Sequence, residues 1–377
     1  MRRLLIAALL LAAAPAAAQR KPYQINAQTP EGLLLQRAGQ EEEESKKIAL
    51  YEEYLAKHPQ HDGVTYALVQ LQPLLLKAKQ YDKVIQMGEQ ILKAEPENAP
   101  AAYNVLQACE QKQDAACVIA WSAKTVEAAK KMLAAPKPAD EDEAATWKQE
   151  QDYATQVITR AEYSLYAQGL QATDPNKAVQ LFAALEAMNI DSQYMPEAGA
   201  RYFVALLQLK DMARAQKLAE TMAAKNKAND DMLLFLADLS LTGSKDYAKA
   251  AEYAARVTEL LPSAAAPQGM DAAAWENKKK SSMGRAYWIA GVAQGSLQKW
   301  AQSDQAMRSA LPFIEGNKEL LPGAYFYLGL SNYKMAEGPK GDKKRMADAR
   351  KYTTLCAQMK SPFQGPAQKN LQAMAGK

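Results

Sequence analysis

Two of the three cysteines have the spacing of a covalent cross-link. Cys109 and Cys117 lie four residues either side of Gln113, which sits in the predicted turn between two amphipathic helices, so they face each other across it. Such a pair closes a local disulfide in an oxidising compartment, or packs as two small buried thiols if the helices stand too far apart. Cys356 falls where a small core residue is wanted and reads as packing. The two histidines, His58 and His61, flank Pro59 and sit beside Asp62. A closed zinc site wants four ligands, and no Cys/His cluster accompanies these, so they read as solvent-exposed turn residues. The glycines of Glu337-Gly-Pro-Lys-Gly-Asp-Lys-Lys344 lack the Gly-Lys-Ser/Thr and the preceding strand of a phosphate loop. Gly291-Val-Ala-Gln-Gly295 reads as close helix packing. The sequence therefore offers no candidate catalytic residue, no metal site and no cofactor site.

The elements that must carry these residues are helices. Alanine, leucine, lysine, glutamate, glutamine and methionine dominate, runs of isoleucine, valine and threonine are missing, and no segment reads as a strand. The clearest pattern is Ala286 to Ala310, two amphipathic helices joined by a tight turn. Weaker copies recur. Tyr287, Ala290-Gly291, Trp300, Ser303 and Ala310 mark the first, and Tyr325, Leu328 and Gly329 take the same places downstream. Upstream, Tyr247, Ala250, Ala254, Val257 and Pro262 match the second helix, as do Ala178, Phe182 and Leu185, then Tyr81, Ile91 and Pro96, and finally Tyr51, Tyr54 and Pro59. A small residue where paired helices cross lets the backbones approach to about 8–10 Å, larger neighbours fill the grooves, and proline stops the second helix.

These repeats resemble the tetratricopeptide repeat (TPR), a helical hairpin of about 34 residues. The resemblance implies an all-α fold, an α-solenoid of about eight TPR-like hairpins forming a right-handed superhelix, near 31–62, 65–98, 99–135, 144–194, 196–229, 230–263, 284–317 and 323–361. Ala178, Ala215 and Ala250 keep close to the repeat period. The longer gaps from Ala250 to Ser303 and on to Ala349 place insertions near 263–283 and 336–346. The layout is then an N-terminal array over 31–135, a proline- and acid-rich break over 136–143 that is either a hinge or a surface loop, a C-terminal array over 144–363, and a capping helix and tail over 364–377.

The beginning of the chain reads as a secretory signal peptide: basic Met1 to Arg3, an apolar run from Leu4 to Ala14, and small residues Ala16 to Ala18, with cleavage after Ala18 and an unstructured segment over 19–30. That apolar run is too short to span a bilayer, which takes roughly 20 residues, and no membrane span follows. No cysteine follows the cleavage position to accept a lipid anchor. The expected location is periplasmic or secreted. The formal charge of +4 falls by two when Arg2 and Arg3 leave, and acidic runs such as Glu41 to Glu44 interrupt the lysines, so no basic stripe offers nucleic acid a surface.

In the TPR family the first helices of successive hairpins line a concave groove. One position on from Tyr287 and Tyr325 stand Trp288, Val292 and Gly295, then Phe326, Leu330 and Tyr333, each trio on a helix face other than the one turned into its hairpin. Trp288, Val292, Phe326, Leu330 and Tyr333 are thus the candidate partner-binding residues, unless the insertions or the C-terminal helix fold over them. The Lys/Asn/Arg grid with which some family members clamp a partner's terminal carboxylate is not found there. The reading is a non-catalytic protein–protein interaction scaffold of the bacterial cell envelope that binds a peptide or helix of a partner. The alternative is an accessory or platform subunit of an envelope enzyme or assembly complex.

Overall fold

The computed structural model describes residues 26–267, 269–337 and 342–375, which form helices and turns with no strand among them. The expected leader over 1–18 lies outside the described residues, as does the segment 19–25. The first unit, up to Ala198, contains α1 (Pro30–Gln40), α2 (Glu44–Lys57), α3 (Val64–Lys77), α4 (Tyr81–Ala94), α5 (Ala99–Gln111), α6 (Ala115–Leu133), α7 (Glu141–Gln171), α8 (Pro175–Met188) and the start of α9 (Met195–Gln208). The second unit, from Gly199, continues through α10 (Met212–Ala224), α11 (Asp230–Leu239), α12 (Tyr247–Leu260), α13 (Ala272–Ser296), α14 (Trp300–Ile314), α15 (Leu321–Ala336), α16 (Lys343–Ala357) and α17 (Gln364–Ala375).

Within each unit the helices pack in chain order, as in an α-solenoid, and the first helices of successive hairpins also touch: α3 with α5 and α5 with α7, then α11 with α13 and α13 with α15. The turns inside five hairpins repeat one geometry. Lys79, Gln113, Lys210, Lys245 and Gln298 each take a left-handed conformation, with φ between 54° and 59°, two residues before the second helix begins. At Gln80, Asp114, Asp211 and Lys299 the next backbone N–H reaches back five residues to close the end of the first helix. Aspartate then caps many of the following helices: Asp114, Asp211 and Asp246 each accept the N–H three residues on.

Helix crossings depend on missing side chains. A Cβ on Gly329 would lie 2.3 Å from Thr353 Oγ1 and 3.0 Å from the Thr353 backbone nitrogen, so α15 and α16 meet almost backbone to backbone. At Gly291 the opposing group is Met307 of α14. Tyr287 stacks on Phe313 and Tyr325 on Tyr352, joining first and second helix at equivalent places in neighbouring hairpins.

Two of the three expected long connections are built alike; the third, near 336–346, includes residues 338–341, which lie outside the described residues. Residues 134–140 connect α6 to α7 inside the first unit, and the rest of the acidic run is already helical because Asp140 caps the N–H groups of Asp142 and Glu143. Trp147 then donates its indole N–H to Ala135 O at 2.9 Å, and Gln151 reaches Met132 O at 2.9 Å. Around 263–283, most of the extra length is an N-terminal extension of α13 capped by Asp271, with Trp275 donating to Ala264 O at 3.3 Å. In both places an indole ties the loop back onto the helix that follows it.

Candidate functional site

In the second unit α13 and α15 place Trp288, Val292, Phe326, Leu330 and Tyr333 on adjoining first-helix faces, and all five are half-buried. Trp288 is not a free anchor. Its indole N–H donates to Leu320 O at 2.8 Å, at the start of α15, its ring lies over Gly323, and the Arg285 guanidinium sits 5.4 Å from the ring centre. Arg285 is itself paired with Asp238 of α11. Val292 packs on the cluster formed by Met307, Ala310 and Leu328. Phe326 meets Phe363, in the turn before α17, with ring centres 5.3 Å apart. The C-terminal segment thus reaches over part of this face. Leu330 and Tyr333 lie further along α15, and the Lys334 ammonium lies 5.6 Å from the Tyr333 ring.

In the first unit the structure assembles an aromatic group to which the repeat pattern did not point. Tyr163, Tyr166 and Leu170 lie along one face of α7, and Tyr194 arrives from the turn before α9. The Tyr166 and Tyr194 rings stack with centres 5.0 Å apart and 18° between planes, and Tyr163 leans against both at 6.1 and 5.6 Å. The Tyr166 hydroxyl donates to Glu197 Oε2 at 2.6 Å; burial first, and then this carboxylate, push the phenol well above the usual tyrosine range. The signal in the sequence was the i, i+3, i+7 spacing of Tyr163, Tyr166 and Leu170, but nothing in it could announce Tyr194, which a turn delivers.

That turn is fixed by a buried carboxylate. Glu162 is 7% exposed and accepts from Asn189 Nδ2 at 2.8 Å and Ser192 Oγ at 2.6 Å. Asn189 Oδ1 takes the Asp191 N–H, and Ser192 Oγ takes that of Tyr194. Nearby, Ser164 donates to Glu110 of α5, whose carboxyl is raised above its ordinary value by desolvation, against the lowering effect of Ser164 and Arg160.

Cys109 and Cys117 are joined across the α5–α6 turn, with Cα atoms 5.4 Å apart and Gln113 at its apex. Cys356 is a buried free thiol, pushed up to about 11 by burial, against the carbonyl of Pro322. The histidines depart from the exposed placement expected of them. His61 Nδ1 lies 2.6 Å from the hydroxyl of fully buried Tyr54 and accepts the Gly63 N–H at 3.1 Å, and the His58 ring rests near Tyr54. A ring nitrogen that accepts from a backbone N–H carries no proton, so the neutral tautomer is Nε2–H, directed toward Glu31 at 4.0 Å. His61 therefore seals a turn. Among the described residues no group of His, Cys, Asp and Glu is arranged to hold a metal ion, and no helix is long and apolar enough to cross a membrane.

No protein-family model matches the chain, and no curated protein matches it. Among solved structures it is similar to the TPR domain of P58(IPK), at 9% identity over 92% of this chain and 98% of that one, with a TM-score of 0.26. So distant a likeness transfers neither site nor partner. The class rests on the molecule's own geometry, an all-α array of repeated helical hairpins.

Proposed function

We propose that the chain is a non-catalytic protein–protein interaction scaffold, exported to the bacterial cell envelope, that holds a peptide or helix of a partner against the outer faces of its first helices. The observation that carries this reading is the side-by-side packing of first helices within each unit, which merges their outward faces into one surface studded with half-exposed aromatic rings. Aromatic residues in such positions supply large, stiff contact area and dominate many interfaces. In the second unit the contact falls on Leu330 and Tyr333, with Trp288, Val292 and Phe326 holding the surface from behind. Export is supported by the charge and apolar pattern of residues 1–18.

The test is crosslinking of the full chain in the native envelope fraction, repeated with Leu330→Ala and Tyr333→Ala. A specific adduct that weakens in both variants, at unchanged circular dichroism, supports the reading. An adduct indifferent to both removes this surface from it. Intact mass of the exported protein checks the leader: a chain retaining Met1 to Ala18 would place the protein elsewhere.

A further inference from the structure

We propose that the tyrosine platform of the first unit, Tyr163, Tyr166 and Tyr194 with Glu197, docks an arginine side chain of a partner protein segment. This rests on the scaffold reading and names the chemistry of what one of its surfaces takes. The platform is open: Tyr163 is 40% and Leu170 is 37% exposed. It is also held rigid. Burying a carboxylate is unfavourable unless hydrogen bonds compensate, and buried Glu162 accepts two of them from the turn that delivers Tyr194 onto Tyr166. Rings clamped from below lose little freedom when a ligand lands on them.

Charge selects the ligand. From Ala161 to Ala200 the chain carries Glu162, Asp174, Glu186, Asp191 and Glu197 against the single base Lys177, although its formal charge overall is +4. Arg160 and Arg201 bound the stretch. Arg160 acts on Glu110 and Tyr103 of α5. Glu197 is exposed, and among the described residues its Oε2 alone is engaged, by the Tyr166 hydroxyl. A planar cation can therefore lie on a tyrosine face and fork toward the free carboxylate oxygen. Guanidinium does both; ammonium is a point charge that stacks poorly and holds its water more tightly.

Fluorescence anisotropy of a labelled nona-arginine peptide with the full chain tests this, alongside nona-lysine and nona-glutamate of the same length, at low salt and at about 150 mM salt. The arginine peptide should bind more tightly than the lysine peptide at both salts, and the glutamate peptide not at all. Tyr163→Ala and Glu197→Gln should each weaken arginine binding about threefold to fivefold, the range of one cation–π or exposed ion-pair contact. Tyr163 is surface-exposed, so its variant folds; Tyr166→Phe, which deletes only a hydroxyl, is the milder check on the clamp. No arginine binding, equal affinity for the arginine and lysine peptides, or indifference to both variants overturns the proposal. Its failure separates from that of the scaffold reading. A native crosslink that persists in Tyr163→Ala, with no arginine-peptide binding, removes the platform alone. Arginine binding at the platform with no native crosslink in any variant removes the scaffold and leaves the ligand chemistry standing.

Discussion

Each of the two units carries an aromatic face, and the two differ in what stands behind it. In the second unit Trp288 spends its indole N–H on the Leu320 carbonyl, and Phe326 rests against Phe363. In the first, Tyr163 has ring contacts but an open edge, and the groups that hold its neighbours in place, Glu162 and Glu197, are carboxylates working from below and beside the platform. The difference teaches that an outward aromatic on a repeat helix is defined by the next element along. Where a following segment folds back, the ring becomes a strut; where a turn brings only another ring, it remains a surface.

Four outcomes would sharpen or break this contrast. The largest effect belongs to Trp288→Ala, which removes a large packed ring and one of the two hydrogen bonds to the Leu320 carbonyl. It should cost about 3 kcal/mol of second-unit stability in urea melts, while Tyr163→Ala, on an exposed ring, should stay within about 0.5 kcal/mol. Equal costs would erase the distinction between strut and surface. Reduction of Cys109–Cys117, which closes a short loop, should cost roughly 2–3 kcal/mol. The loss should fall on the first unit, since the second contains only the free thiol of Cys356; hydrogen exchange after reduction locates it, and loss spread through both units would refute the assignment.

Next comes Glu162→Ala, which leaves the Asn189 and Ser192 donors unpaired beneath the platform and should cost about 2 kcal/mol. Amide exchange at Tyr194 should speed up in that variant, and an unchanged rate would mean that the turn holds itself. The smallest effect tests what the two units share. Gln113→Gly and Gln298→Gly relieve left-handed strain at matching hairpin turns, so each should stabilise its own unit by about 1 kcal/mol. A gain in one unit only would show that the turns are not equivalent.

Much of the hairpin architecture was legible because it is local. The 3.6-residue apolar period, the small residues at crossings and the terminating prolines lie within one or two turns of the helices they govern. Gln113 at the apex between Cys109 and Cys117 follows from the same short-range geometry. The long insertions were legible as extra length but not as structure. What turned 272–283 into helix was the Asp271 cap and the Trp275 tie to Ala264, and similar parts set α7 going. His61 reads as an exposed turn residue until the buried Tyr54 hydroxyl is found beneath it.

The sequence by itself determined that the chain is helical, repeated in hairpins, and rich in aromatic residues on two faces of its first helices, because those properties depend on periodicity and on neighbours a few residues away. Only the tertiary structure decided which aromatic residues are struts and which form a surface. Phe326 lies 37 positions from Phe363, Trp288 lies 32 from the carbonyl it binds, and Glu162 lies 30 from Ser192. Exposure is settled by such pairs, and a helical period carries no memory over that distance.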